Sequence, residues 1–372
     1  LKNFVYHPTI ENRVYASTLS KHLVMSEDNG KTWEVIHTLP YASYEGFVRD
    51  MKLTNKGKAL SFVQHYSSGS SLNELVVFDL ETNTVIKNYR MPDPQEGRDF
   101  GAYSIFDDGT VDKAVMIGKE INEKIYYTTD GGENWNTIFD GEDYHYVMLS
   151  DITFAPDDHK KIYVPRYGSY DGPKAETKGG FMYTLDEGNE WKVSLEGLLL
   201  DKVAVNPSDA NDIYTSSGIL WSFPDQHQAV YRSKDGGQTW NELPLEWYDP
   251  GGLGNMKLVR KIMHNPKNTD QIIMLEEDQI FVSFDNGETW TANNHEGEHS
   301  SRVIDYLDGT SFSINPFNPQ EILIDNRWYP LRSLDCGATV TKIKNPYFDA
   351  GGILAMVDLP GEQHFYYGVQ SG

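Results

Sequence analysis

Ser233-Lys234-Asp235-Gly236-Gly237-Gln238-Thr239-Trp240 is one of six copies of a single pattern, Ser/Thr-x-Asp-x-Gly-x-x-Trp. The others run from Ser26 to Trp33, Thr128 to Trp135, Thr184 to Trp191, Ser283 to Trp290 and, with Val340 in the last place, Ser333 to Val340. Their aspartates, Asp28, Asp130, Asp186, Asp235, Asp285 and Asp335, are separated by 102, 56, 49, 50 and 50 residues. The first interval is two periods long. Midway through it, Asp79-Leu80-Glu81-Thr82-Asn83 lies between Val76-Val77-Phe78 and Val85-Ile86, which reads as strand, tight turn and strand with the tryptophan lost. Seven units of about fifty residues result, a period that marks a solenoid or a propeller.

The content of each unit decides between the two. Phe4-Val5-Tyr6, Arg13-Val14-Tyr15-Ala16, His22-Leu23-Val24-Met25 and Trp33-Glu34-Val35-Ile36 predict four strands in the first unit. Asn-Pro or a near relative recurs between the first two strands, at His7-Pro8, Ala155-Pro156, Asn206-Pro207, Asn265-Pro266 and Asn315-Pro316, where proline presets a turn and ends the ladder. Four-stranded units repeated radially predict an all-β fold, a seven-bladed β-propeller over residues 1–345. Residues 346–372 add two strand-like runs, Ile353-Leu354-Ala355-Met356-Val357 and His364-Phe365-Tyr366-Tyr367-Gly368-Val369, which either close the ring or begin a further segment.

The repeated pattern is that of the Asp box, or bacterial neuraminidase repeat, and from Ser26 to Val340 the chain resembles the Asp-box propeller superfamily. Sialidases, xyloglucanase-like glycoside hydrolases, sortilin-type receptors and a photosystem assembly factor share it, so the resemblance implies a fold and leaves function to the site. It also implies that the box joins the third and fourth strands, on the face opposite the active site. Local chemistry gives the box a structural role: Asp caps backbone amides of its own turn, Gly supplies a positive φ, and Trp packs between sheets. His7-Pro8-Thr9 through Val14-Tyr15-Ala16-Ser17-Thr18 is similar to the opening of the xyloglucanase-like enzymes. Those enzymes follow the threonine with a catalytic Asp, where this chain has Leu19. Sialidases are similar in their boxes but begin with an Arg-Ile-Pro motif that this chain lacks; its nearest string is Val164-Pro165-Arg166-Tyr167, in the fourth unit.

The 372 residues carry 32 basic and 55 acidic side chains, a formal charge of −23, which opposes binding to a nucleic-acid backbone or an anionic membrane. No apolar run approaches the roughly eighteen residues that span a bilayer. There is one cysteine, Cys336, and no Asn-x-Ser/Thr acceptor, unlike disulfide-rich glycosylated receptor ectodomains. Composition and resemblance together point to a bacterial secreted or cell-surface protein.

Function is expected on the face away from the boxes. Loops destined for it include Tyr41 to Glu45, Asp143-Tyr144-His145-Tyr146 and Glu246-Trp247-Tyr248-Asp249-Pro250 between blades, and His65-Tyr66, Arg166 to Asp171 and Leu220-Trp221-Ser222-Phe223 within them. Tyr66, Tyr146, Tyr167, Tyr170, Trp221, Trp247 and Tyr248 present flat faces to a pyranose while Arg166 binds hydroxyls, a mixture suited to a glycan. The same aromatics also serve to pack loops onto a propeller rim. Charged residues open the innermost strands: Arg49-Asp50, Arg98-Asp99, Ser150-Asp151, Asp201-Lys202 and Arg260-Lys261. Carboxylates crowded at a channel mouth shift one another's pKa values, and glycoside hydrolysis needs a protonated acid beside an ionised base. Asp50, Asp99, Asp151 and Asp201 are the catalytic candidates, with Arg49, Arg98 and Arg260 as substrate ligands. A ring of solvated charges with adjacent counterions is the alternative reading.

His295-Glu296-Gly297-Glu298-His299 matches a zinc-protease motif, but its central glycine and its asparagine and serine flanks read as loop rather than the helix such a site needs. No Gly-x-Ser-x-Gly elbow, phosphate loop or Cys-x-x-Cys is present. Acid-rich stretches such as Asp171-Gly172 admit calcium without a ligand spacing that requires it, so no cofactor is expected. Two functions follow: a carbohydrate-active enzyme using two channel carboxylates on a polysaccharide or oligosaccharide, or a non-catalytic propeller that binds a glycan or a protein partner within a larger assembly.

Overall fold

The computed structural model describes the chain apart from residues 19–20, 41–45, 67–72, 91–99, 119–122, 142–146, 170–178, 219–227, 248–257, 296–306, 308, 327–329, 344–354, 360–361 and 367–372. Apart from the last two, its strands form seven antiparallel sheets in chain order, each a meander, and the described residues hold no α-helix. Six blades have four strands; in the fourth the innermost strand is split into Val147–Leu149 and Thr153–Phe154, leaving Asp151 in the gap. The fold is a seven-bladed β-propeller.

Seven apolar clusters hold the ring, each spanning two consecutive blades. Between blades 4 and 5, Tyr163 and Phe181 pack on Leu200, Ile213 and Tyr231. The seventh cluster joins Phe4, Val14 and Val24 of blade 1 to Leu323 of blade 7. Hydrogen bonds cross the same seam: Asn3 N donates to Asp325 at 2.8 Å, Tyr6 N to Ser313 Oγ at 3.2 Å, and Asn29 Nδ2 to Glu321 at 2.9 Å. Blade 7 takes its outer strand from Thr341–Lys342, and the last two strands, Ala355–Leu359 and Glu362–Tyr366, pair with each other as a separate sheet.

The boxes act as interblade locks. Ser233 Oγ donates to Asp235 Oδ1 at 2.8 Å and accepts from Gly237 N at 2.8 Å, while Asp235 Oδ1 accepts from Gln238 N and Thr239 N at 3.0 and 2.8 Å. The hydroxyl-to-carboxylate bond is 2.8 Å long in all six copies. Gly236 and Gly237 adopt φ of 73° and 91°. A Cβ on Gly237 would lie 3.0 Å from the ring of Phe181 in the preceding blade. Trp240 meets that ring edge-on with centroids 4.6 Å apart and donates its Nε1 to Ser194 Oγ at 2.9 Å. In blade 2, which lacks the tryptophan, Asp79 Oδ1 still accepts from Glu81 N and Thr82 N at 3.0 and 2.7 Å. The Asn-Pro turns cap themselves as well: Asn206, Asn265 and Asn315 each accept from an amide two residues on at 2.9 Å.

Cys336 occupies the left-handed position of the last box, with φ of 54°. Its thiol donates to Pro319 O at 3.0 Å, and burial pushes it up to about 11. It is a packing group there.

Candidate functional site

The innermost strands of all seven blades surround a central cavity of about 1520 Å³. Among them are Lys2–Tyr6, Gly46–Leu53, Leu200–Asn206 and Val259–Asn265. Every innermost strand loses register with its neighbour near its start, as between Lys2 and Val5, Arg49 and Lys52, and Leu200 and Val203. Such bulges re-aim side chains, and Asn3 and Asp50 sit in two of them with φ of 53° and 51°. Consecutive residues therefore reach the channel, as Arg49 with Asp50 and Arg260 with Lys261 do.

Of the four expected carboxylates, Asp50 and Asp151 line the cavity. Asp50 is exposed and lies 3.4 Å from Arg49 Nε. Asp151 accepts from Ile152 N at 2.9 Å and from Val203 N of the next blade at 3.3 Å. Burial raises the Asp151 carboxyl above the usual range, and Lys52 and Lys202 oppose that rise. Asp201 is buried beside Lys202, 3.0 Å from its ammonium, and is not among the cavity's lining residues. Asp99 and Arg98 lie outside the described residues.

A third lining carboxylate, Asp325, comes from the second strand of blade 7, Ile322–Asn326. It is 3% exposed; Oδ2 accepts from Asn3 N at 2.8 Å, and Oδ1 is buried without a hydrogen-bond partner. Burial lifts it to about 6, against the attraction of Lys2 and Lys261. The residues matching it in other blades, by their spacing from the strand that carries the box, are Ser17, Phe62, Ile117, Pro165, Ser216 and Leu275. A carboxylate in that series was the one signal available in the sequence.

Lysines are the other group that the strand-start reading only partly anticipated. Lys52 Nζ donates to Tyr103 O at 2.6 Å and lies 4.2 Å from that ring's centroid. Lys261 Nζ donates to Phe312 O at 2.7 Å, and burial drops it to about 8. Lys2 Nζ donates to Asn326 O. These bonds lay the stems along the wall between neighbouring blades, with the ammonium groups inside the channel.

The expected substrate ligands divide. Arg49 and Arg260 line the cavity, Arg260 paired with Glu277. Arg166 is buried in the second strand of blade 4 and donates to Gly179 O at 3.0 Å, bracing backbone. Tyr167 packs against Gly218, where an added Cβ would come within 2.2 Å of its ring. Trp247 meets Phe281 edge-on at 4.9 Å and covers the core between blades 5 and 6. Tyr66 ends the strand Ala59–Tyr66, and nothing further is described of its side chain. Tyr146, Tyr170, Trp221 and Tyr248 lie outside the described residues, as do Leu19, Asp171-Gly172 and Glu296 to His299. His295 follows the strand Thr291–Asn294 and is held by Gly337 O at 2.5 Å, in a loop as its neighbours indicate. Among the described residues no three His, Cys, Asp or Glu are grouped to hold a metal, and no helix is long and apolar enough to cross a membrane.

A family model described as the BNR/Asp-box repeat matches residues 126–137, 231–242 and 281–292. The chain is a seven-bladed propeller that carries Asp-box repeats. No curated protein matches its sequence significantly. Among solved structures it is similar to the GH74 xyloglucanase from Xanthomonas campestris, with a TM-score of 0.63 and 13% identity over 90% of this chain and 52% of that one. It thus spans about half the length of that enzyme. Oligogalacturonate lyase in complex with manganese aligns with a TM-score of 0.55 and 13% identity, covering 89% of this chain and 88% of the lyase. YCF48 bound to D1 peptide gives 0.50 and 13% over 92% and 91%. At these identities the shared property is the propeller fold.

Proposed function

We propose that the Asp-box propeller recognises a glycan in its central channel and hydrolyses it there with two channel carboxylates. The observation that carries this reading is a large channel with charged side chains in its wall, holding Asp151, a carboxyl with raised proton affinity, together with the exposed Asp50. In the step we envisage, Asp151 gives its proton to the glycosidic oxygen as the bond to the anomeric carbon breaks. Asp50 takes a proton from the water whose oxygen attacks that carbon, so two carboxyls and one water account for every atom moved. Lys52 and Lys202 limit the rise of the Asp151 carboxyl and so ease release of its proton to the leaving group. A secreted or cell-surface location belongs to the same proposal, as the place where a polysaccharide is met.

A glycan array and a polysaccharide digestion panel on one purified sample test the reading. Shortened products that disappear in Asp151→Asn, with retention of the glycan intact, are the expected result. Retention without turnover would leave a binding propeller, and silence on every glycan would overturn the proposal.

A further inference from the structure

The charge of the channel is opposite to that of the molecule. The whole chain carries −23, yet among the described residues eight lysine or arginine side chains line the cavity against three carboxylates. The whole chain, with 32 basic and 55 acidic side chains, has the opposite excess. Lys2, Lys52, Lys202 and Lys261 come from four different blades, so the basic character surrounds the cavity instead of marking one wall. Each ammonium makes one hydrogen bond to a described residue and has three N–H donors, leaving two for a ligand. Burial lowers the proton affinity of Lys261, Asp325 and Asp50 oppose that fall, and Lys52 adds to it by repulsion. Asp50, Asp201, Glu277 and Asp325 neutralise this ring only in part, and the basic excess that remains is stabilised by an anion within it.

We infer that the channel takes a chain bearing carboxylates, an oligosaccharide of uronic acid residues, with Lys52, Lys202 and Lys261 as its ligands. This rests on the glycan reading above and narrows it. A sugar backbone is favoured over a peptide because hydroxyl and amide side chains are interleaved with the lysines: Ser104, Ser150, Thr153, Ser311 and Asn3 line the same cavity. Asp325 Oδ1, buried without a described partner, is an acceptor for a sugar hydroxyl. Ammonium groups held in a low-dielectric channel attract carboxylates more strongly than surface lysines do, and the interaction weakens with salt as far as water enters.

The test is calorimetric titration of the full chain with galacturonate oligomers, the same oligomers fully methyl-esterified, a neutral galactan and poly-glutamate. We expect the free acid to bind at least tenfold more tightly than its ester, to weaken as salt rises, and to lose tenfold or more in Lys261→Met and in Lys202→Gln. Lys202 is partly exposed but pairs with the buried Asp201, so a thermal melt of Lys202→Gln accompanies its titration, and the salt series needs no variant. Equal binding of acid and ester, or of neutral galactan, overturns the inference and leaves the glycan reading standing. Tighter binding of poly-glutamate than of any sugar overturns it in favour of an acidic peptide. No binding to any of the four overturns the inference and, with a silent glycan array, the glycan reading as well.

Discussion

At the scale of single residues, the box concentrates its strength in a few positions that tolerate no exchange. Gly237 needs both a left-handed backbone and the absence of a Cβ against Phe181, so Gly237→Ala should cost about 1–3 kcal/mol, read as a lower urea midpoint with an unchanged slope. The box carboxylates give the acid limb of stability. The Thr32 hydroxyl holds Asp28, the Asn134 amide holds Asp130 and the Thr289 hydroxyl holds Asp285 at about 2, below the ordinary 3.8. Carboxyls depressed in the folded state contribute in full above about pH 4 and lose that contribution as pH falls through 2. The thermal midpoint should therefore drop steeply between pH 4 and 2, and the drop should be shallower in Asp285→Asn. A midpoint that is flat across this window would show the boxes to be ornamental. The carboxylates were legible in the sequence because the hydrogen bonds that hold them stay within the pattern, whereas the contact of Gly237 with Phe181 of the preceding blade was not.

At the scale of strands, legibility ends at the bulge. Alternation assigns every second residue to one face, but each innermost strand slips register near its start, so which neighbour faces the channel cannot be counted from the repeat. Asp151 enters the channel where its strand is broken, whereas Asp201, beside the oppositely charged Lys202, is turned away and buried. Asp325 was hidden differently, in a second strand whose Ile322-Leu323-Ile324 run reads as core. Its position gives a stability prediction. Raised to about 6 by burial, the folded carboxyl keeps its proton between pH 3.8 and 6 while the unfolded chain has released it. Asp325 therefore subtracts stability as pH rises through that window, and the loss is complete above it. Asp325→Asn should be more stable than the parent at pH 8 by about 1–2 kcal/mol, less than the whole shift because Lys2 and Lys261 lose a partner, and no more stable at pH 3. Paired thermal melts at the two pH values decide it; a variant less stable at pH 8 would mean that the ionised carboxylate is needed where it stands.

At the scale of the molecule, the seven blades are joined by one type of contact repeated seven times, and six of those contacts link segments adjacent in the chain. The seventh must bring residues near position 1 to residues near position 323, so its closure costs the most chain entropy and it is the interface that forms last. The sequence period fixes the number of blades but says nothing about which contacts hold that seam. In the structure they are Leu323 against Phe4, Val14 and Val24, with Asn29 bridging to Glu321 outside the apolar patch. Leu323 is 1% exposed, and Leu323→Ala should cost about 2–5 kcal/mol, as a core truncation does. Leu60, equally buried between blades 1 and 2, controls for burial alone. If the seam forms last, Leu323→Ala should speed unfolding and leave the folding rate near that of the parent, whereas Leu60→Ala should slow folding in proportion to its own loss. Stopped-flow rates for the two variants separate the cases, and a Leu323→Ala variant that folds slowly would show that the ring closes early and the blades condense onto a circle already made.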